Sequence, residues 1–254
     1  MRKRVSAAVV TGALALTGLA VPAAHAAPEE PIVLSNIKVN GGKDVHVGTG
    51  LTKFTFTFSA SHSANVERDP SLSLEKNSLG ILLPEEFMGN MCKAVSSTKS
   101  DCKATFNVDP RAYDIANEEA GSWRSDLFIA STDYASTLSS SNIKTVKILR
   151  AAKLTANASP EPVRRNATVT VTGDLTRANW DTRKYAGYTS QPVKLQYKKN
   201  GSSTWTTLKT VKTDRYGKLK TTVKATADGS YRYSFAGTST TPAVNSSADY
   251  VDVR

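Results

Sequence analysis

From Phe54 to Phe58 the chain reads FTFTF, ring and hydroxyl in turn. A strand points successive side chains to opposite faces, so Phe54, Phe56 and Phe58 share one face and the threonines the other. The same period of two recurs at Ile37 and Val39, at Val45 and Val47, at Ser71–Glu75, at Cys102, Ala104 and Phe106, and at Leu127 and Ile129. Asn40-Gly41-Gly42, Gly48-Thr49-Gly50 and Asn107-Val108-Asp109-Pro110 punctuate the runs as turns. Gly80–Pro84 could start a further strand, and Ile143, Val146 and Ile148 close the region. About six to eight short strands with frequent turns predict a β-sandwich over residues 32–150, in which the three phenylalanines form a core stripe.

Residues 166–254 repeat the pattern on a more polar ground. Val169 and Val171 alternate with threonines, Val193 and Leu195 with Lys194, Leu219 and Val223 with lysines and threonines, and Tyr231, Tyr233 and Phe235 with Arg232 and Ser234. Asn200-Gly201-Ser202-Ser203 reads as a hairpin connection. Gly201, Gly217 and Gly229 are expected to supply the positive φ that tight turns require. Trp205 is expected to pair across strands with Leu195 and Tyr197. Trp205 and Leu208 are three apart, so either the pairing holds a bulge or the two use different faces. Roughly seven strands at intervals of about 8–12 residues are the spacing of an immunoglobulin-like sandwich. Between the two regions, residues 151–165 contain Ser159-Pro160-Glu161-Pro162 and read as a proline-stiffened linker and domain entrance, with Leu154 open to assignment as a first strand.

The ends change the picture. Arg2, Lys3 and Arg4 precede an apolar run from Val5 to Val21, and Ala24 and Ala26 stand in the A-x-A spacing of a cleavage site. Residues 1–26 therefore read as a signal peptide and 27–31 as a flexible start. No later stretch approaches the about 20 apolar residues of a membrane span, so no transmembrane segment is expected in the mature chain. Export makes Cys92 and Cys102, the only two cysteines, a structural disulfide that pins a hairpin. Charge is unevenly placed: after residue 150 there are 17 Lys and Arg against 7 acids, whereas residues 27–150 hold 13 against 15. Lys198, Lys199, Lys209, Lys212, Lys218, Lys220 and Lys224 form a candidate face for an anionic partner.

The segments SPEPV, TVTVTGDLTRANW, PVKLQYKKNGSSTW, TVKTDRYGKLKTTV, DGSYRYSFAG and DYVDV resemble the immunoglobulin-like modules of exported actinobacterial proteins, particularly those of Streptomyces. The half containing the two cysteines and AGSW is similar to a second such module. The resemblance implies two immunoglobulin-like antiparallel β-sandwich domains in tandem, an all-β protein, an exported location and a bacterial surface context. It implies no catalytic set.

Catalytic chemistry is thin. His46 lies between Val45 and Val47 on a strand, His62 lies in a Ser-rich loop, and no G-x-S-x-G accompanies either. There is no H-E-x-x-H, no phosphate loop and no EF-hand loop. Glu85-Glu86 and Glu118-Glu119 are paired carboxylates by composition alone. Asp109, Asp114, Glu118, Glu119 and Asp126 are candidate calcium ligands without a known loop spacing. No cofactor is expected, and nucleic acid is disfavoured because the aromatics among the lysines are expected in the core. The chain reads as a secreted, non-enzymatic binding or structural protein, free or loosely wall-associated. Its expected partner is an extracellular protein or an anionic cell-wall polymer. Two rivals stand beside that reading: an inhibitor or substrate of a secreted protease presenting a loop such as residues 88–91, and a degradative enzyme with unrecognised carboxylates.

Overall fold

The computed structural model describes residues 30–76, 80–87 and 89–254. The expected signal peptide, 1–26, and most of the expected flexible start, 27–31, lie outside the described residues. The first sandwich contains β1 (Val33–Val39), β2 (Val45–Val47), β3 (Thr52–Ser61), β4 (Ser71–Lys76), β5 (Gly80–Leu82), β6 (Cys92–Ala94), β7 (Lys99–Val108), β8 (Gly121–Ala130), β9 (Thr137–Ser141) and β10 (Val146–Arg150). One sheet runs β1-β3-β7-β6; the other runs β2-β10-β8-β4-β5, with β9 also on β8. Take β1, β3, β4, β6, β7, β8 and β10 as seven strands in order. The first, second, fifth and fourth then make one sheet and the third, sixth and seventh the other, which is the seven-strand immunoglobulin core, here extended by β5 beside β4 and by β2 running parallel to β10.

Alternation fills the space between these sheets. Phe54, Phe56 and Phe58 of β3 are buried against Ala104 and Phe106 of β7, and the Phe54 and Phe106 rings stack at 5.3 Å. From the other sheet come Leu72, Leu74, Trp123, Leu127, Ile129 and Ile148. Trp123 satisfies its indole N–H by donating to the Glu119 carbonyl at 2.9 Å. Cys92 and Cys102 stand directly opposite each other on β6 and β7 and are joined by a disulfide. This bridge ties neighbouring strands of one sheet, unlike the inter-sheet bridge of antibody domains.

The second sandwich contains β11 (Ala152–Leu154), β12 (Asn157–Ser159), β13 (Thr168–Asn179), β14 (Lys184–Gly187), β15 (Pro192–Lys199), β16 (Thr206–Lys212), β17 (Lys218–Lys224), β18 (Gly229–Phe235), β19 (Val244–Asn245) and β20 (Asp249–Val251). β13 carries β12 and β17 on its first half and β11 and β14 on its second. The facing sheet runs β16-β15-β18-β19, with β20 also on β18. The 151–165 stretch thus contributes two strands to the sheet built on β13. Val169, Val171, Leu175, Val193, Leu195, Leu219, Tyr231, Tyr233 and Phe235 close the core between the sheets. Two immunoglobulin-like antiparallel sandwiches in tandem are the observed architecture.

Three local expectations are met differently. Gly201 and Gly217 have positive φ, but Gly229 does not and instead opens β18. Glycine is needed there because a Cβ would lie 2.5 Å from both the Lys198 carbonyl and the Tyr197 ring. The β15–β16 pairing holds a bulge between Leu195 and Gln196, where Lys209 and Thr207 are the partners and Leu208 is left over and exposed. Trp205 is not in the core. Tyr197 faces inward opposite Thr206, so Trp205 falls on the outward side with Lys198.

The tryptophan that does enter a core is Trp180, just past the end of β13. It is 1% exposed and packs with the first sandwich's cluster rather than the second's. Its indole N–H donates to the Val47 carbonyl at 3.2 Å, and its backbone N–H donates to the Asn117 side-chain oxygen at 2.9 Å. Arg150, buried where β10 ends, donates from Nε to the Ala178 carbonyl at 2.6 Å. Burial pulls its guanidinium pKa down to about 10.

Candidate functional site

The outer face of the β16-β15-β18-β20 sheet gathers cations with few acids near them. Strand alternation turns Val193, Leu195 and Tyr197 inward and therefore turns Lys194, Gln196 and Lys198 outward. The registers then fix the rows. Lys198 lies opposite Ser230, and Ser230 opposite Tyr250; Gln196 lies opposite Arg232 and Thr207; Lys194 lies opposite Ser234 and Thr210; Pro192 lies opposite Lys212. No residue in those rows is acidic. Among the described residues, Lys194, Lys198, Lys212 and Arg232 form no ion pair.

Trp205 lies over this face. The Arg232 guanidinium stands 4.1 Å from the centre of its ring and the Lys198 ammonium 5.2 Å. Arg232 is oriented further by donating from Nε to the Gln196 side-chain oxygen at 2.8 Å. Desolvation under the indole lowers the Arg232 pKa. An exposed cation–π contact is worth about 0.5–1 kcal/mol, enough to hold a side chain in place without neutralising it.

The structure separates the seven lysines that the sequence grouped. Lys198 and Lys212 belong to the face just described. Lys218, Lys220 and Lys224 point outward from β17, on the opposite sheet, opposite Asp174, Thr172 and Thr168. Lys218 pairs with Asp174 at 2.9 Å, and Lys224 donates to Thr168 Oγ1 at 3.1 Å. Lys209 bridges the edge, donating to the Thr222 carbonyl at 2.7 Å. Lys199 is exposed at the end of β15. Arg232 and Lys194 complete the first face, and the alternation of β15 and β18 was the signal that could have found them.

The acidic candidates are engaged separately. Asp109 holds Arg111 at 2.7 Å, and Asp114 accepts the Asp109 backbone N–H at 3.0 Å. The hydrogen bond from Arg111 keeps the Asp109 carboxyl below its ordinary range. Glu119 is buried and accepts the Ala116 N–H, Glu118 is exposed, and Asp126 pairs with Arg124 at 2.9 Å. Among the described residues no three His, Cys, Asp or Glu side chains stand close enough to hold a metal ion.

The histidines and the loop give no reactive arrangement. His46 is exposed between two buried valines, while His62 is buried and accepts the Ala64 N–H through Nδ1. Met88 lies outside the described residues, and Met91 is 3% exposed, part of the core rather than of a projecting loop. An open cleft of about 470 Å³ lies between Thr155–Asn157 and β17. Its two carboxylates are occupied: Asp174 by Lys218, and Asp214 by the backbone N–H groups of Lys218 and Tyr216. Those backbone bonds hold Asp214 below the usual carboxylate range.

No family model and no curated protein matches the chain. Among solved structures it is similar to latent dimeric PorU from Porphyromonas gingivalis, at 10% identity over 89% of this chain with a TM-score of 0.32, and it spans 20% of that chain's length. It is also similar to a marsupial T cell receptor (10% identity, 88% of this chain and 73% of that one, TM-score 0.36). A third likeness is to the fibronectin(III)-like modules of Clostridium thermocellum CbhA (9% identity, 85% and 92%, TM-score 0.31). At these identities the likeness is one of fold alone, and the strand order described above carries the class. Among the described residues no helix is long and apolar enough to cross a membrane.

Proposed function

We propose that this chain is an exported, non-enzymatic protein whose second sandwich holds it to an anionic extracellular polymer, such as one of the bacterial cell wall. The observation that carries this reading is the set of four outward cations, Lys194, Lys198, Lys212 and Arg232, on one sheet face, none of them in an ion pair among the described residues; Asp228 and Asp252 lie beyond the Lys198 end of the set. Unpaired like charges on a rigid sheet attract a polyanion from a distance and hold it by many weak contacts. The excess of basic residues after residue 150 works in the same direction. A non-enzymatic role is supported by how the large side chains are used, since Trp123, Trp180, Tyr233 and the three phenylalanines are spent on packing. Export is supported by the charged head, apolar run and A-x-A spacing of residues 1–26, and by the disulfide.

Purified protein mixed with cell-wall fragments should be retained at low salt and released at high salt, because exposed charges are screened within about 8–10 Å at physiological ionic strength. Equal recovery at both salt levels would remove the ground for an anionic partner.

A further inference from the structure

The four cations are not merely on one face; they fall in consecutive outward rows. Lys198 occupies one row, Arg232 the next (opposite Gln196), Lys194 the third, and Lys212 the fourth (opposite Pro192). Outward rows are two residues apart, about 6.8 Å along a strand, so the series spans about 20 Å. Laterally it stays within one inter-strand spacing, about 4.8 Å, on either side of β15. Projected along β15 the charges recur about every 6.8 Å, while the step from one cation to the next crosses a strand and measures about 8 Å between Cα positions, an offset that Lys and Arg side chains are long enough to close. Gln196, Ser230, Ser234, Thr207 and Thr210 lie between them as uncharged hydrogen-bonding groups.

A linear polyanion fits such a line when its charges recur at the same interval. In a three-carbon polyol phosphate, six backbone bonds separate one phosphorus from the next: P–O, O–C, C–C, C–C, C–O and O–P. Two residues of extended peptide also contain six backbone bonds, so the extended repeats match at about 6.8 Å. We infer that the outer face of the β16-β15-β18 sheet is a four-site track for a linear polyol phosphate, one phosphodiester per cation, with the free polyol hydroxyls facing the Ser, Thr and Gln side chains. This rests on, and sharpens, the reading of an anionic-polymer binder.

A nucleic-acid strand also has six backbone bonds per repeat, so spacing alone fits it too. Proteins built for such a strand add to the phosphate contacts a series of open rings on which successive bases stack. On this face Trp205 is half-buried with Arg232 and Lys198 against it, and Tyr250 lies in the outermost strand, so there is no run of free rings for successive bases. The opposite sheet is a poorer track, because Lys218 is already paired with Asp174.

The test is calorimetric titration of the purified full-length protein with synthetic poly(glycerol phosphate) oligomers of increasing length. Affinity should climb up to four repeats and then level off. The slope of log affinity against log salt should be about −3, from four charges at about 0.7 each. Replacing Lys194→Gln, Lys198→Gln and Lys212→Gln together should flatten that slope by about 2 and weaken low-salt binding at least about tenfold. Replacing Lys218→Gln, Lys220→Gln and Lys224→Gln removes equal charge from the other sheet and should weaken it less than about threefold. If the first triple variant fails to fold, Lys194→Gln and Lys212→Gln singly should each flatten the slope by about 0.7. Equal losses in the two triple variants, or affinity that keeps rising with length, would overturn the track. Tighter binding of oligothymidylate than of the polyol phosphate would overturn the polymer assignment. Wall retention that persists without poly(glycerol phosphate) binding would defeat this inference and leave the broader reading standing.

Discussion

Tyr233 shows how one hydroxyl is spent. Its ring is fully buried between the sheets of the second sandwich, and its O–H donates to the Val171 carbonyl at 2.9 Å. Burial pushes its pKa up to about 12, from an ordinary 10.0. The unfolded chain therefore releases the phenolic proton before the folded one does. The stability gained is fully present below pH 10 and drains away as the pH rises toward about 12. Tyr233→Phe should cost about 1 kcal/mol at neutral pH, the net worth of a buried hydrogen bond, and should flatten the alkaline loss. Urea denaturation of both proteins at neutral and alkaline pH measures this; an unchanged alkaline slope in the variant would contradict it. Tyr233 was legible in the sequence, because Tyr231, Tyr233 and Phe235 keep step on one strand. Trp205 was not, because it precedes its strand by one residue and a bulge at Leu208 breaks the period that would have set its face. Trp180 was not legible either: it follows the end of β13, where alternation has ceased, and its burial is decided by a surface more than 100 residues upstream, as the bond to Val47 shows.

At the scale of elements, the period of two was the readable signal and strand partnership was not. β3, β7 and β18 could be placed because each alternates cleanly, whereas the grouping of seven lysines failed because the sequence cannot say that β16 and β17 belong to facing sheets. The hairpin of β6 and β7 is the case where a covalent constraint helped, since the sequence has only two cysteines and each has one possible partner. Their separation of 10 residues encloses a short loop, for which chain entropy gives about 2–3 kcal/mol. Cys92→Ala with Cys102→Ala should lower stability by about that amount. Faster amide exchange should be confined to β6 and the adjoining part of β7, because Phe54, Phe56 and Phe106 keep the sandwich closed without the bridge. Exchange that accelerates equally across β8 and β10 would instead make the disulfide a support of the whole sandwich.

At the scale of the molecule, the two sandwiches share a strand end. β13 is the spine of the second sandwich, yet Ala178 and Trp180 pack in the core of the first. Asn117 of the first sandwich clamps the same segment: its side-chain oxygen accepts from Trp180, its amide donates to Asn179 Oδ1 at 2.8 Å, and its backbone N–H donates to Asp181 at 3.0 Å. Outside the core, the Arg183 guanidinium stacks on Tyr113 at 4.2 Å. Unfolding the first sandwich would expose Trp180, and unfolding β13 would withdraw it, so each event penalises the other. The intact protein should therefore melt in one coupled calorimetric transition. Trp180→Ala should cost about 3–5 kcal/mol, the usual toll of emptying a large aromatic site, and should split the melt into two steps. Trp180→Phe keeps most of the packing and loses only the N–H donated to Val47, so it should fall between the two. Two separate transitions already present in the intact protein, unchanged by Trp180→Ala, would show that the sandwiches unfold independently. A single coupled melt would instead mean that the second sandwich opens only together with the first, because Trp180 cannot leave one core without disrupting the strand that carries it in the other.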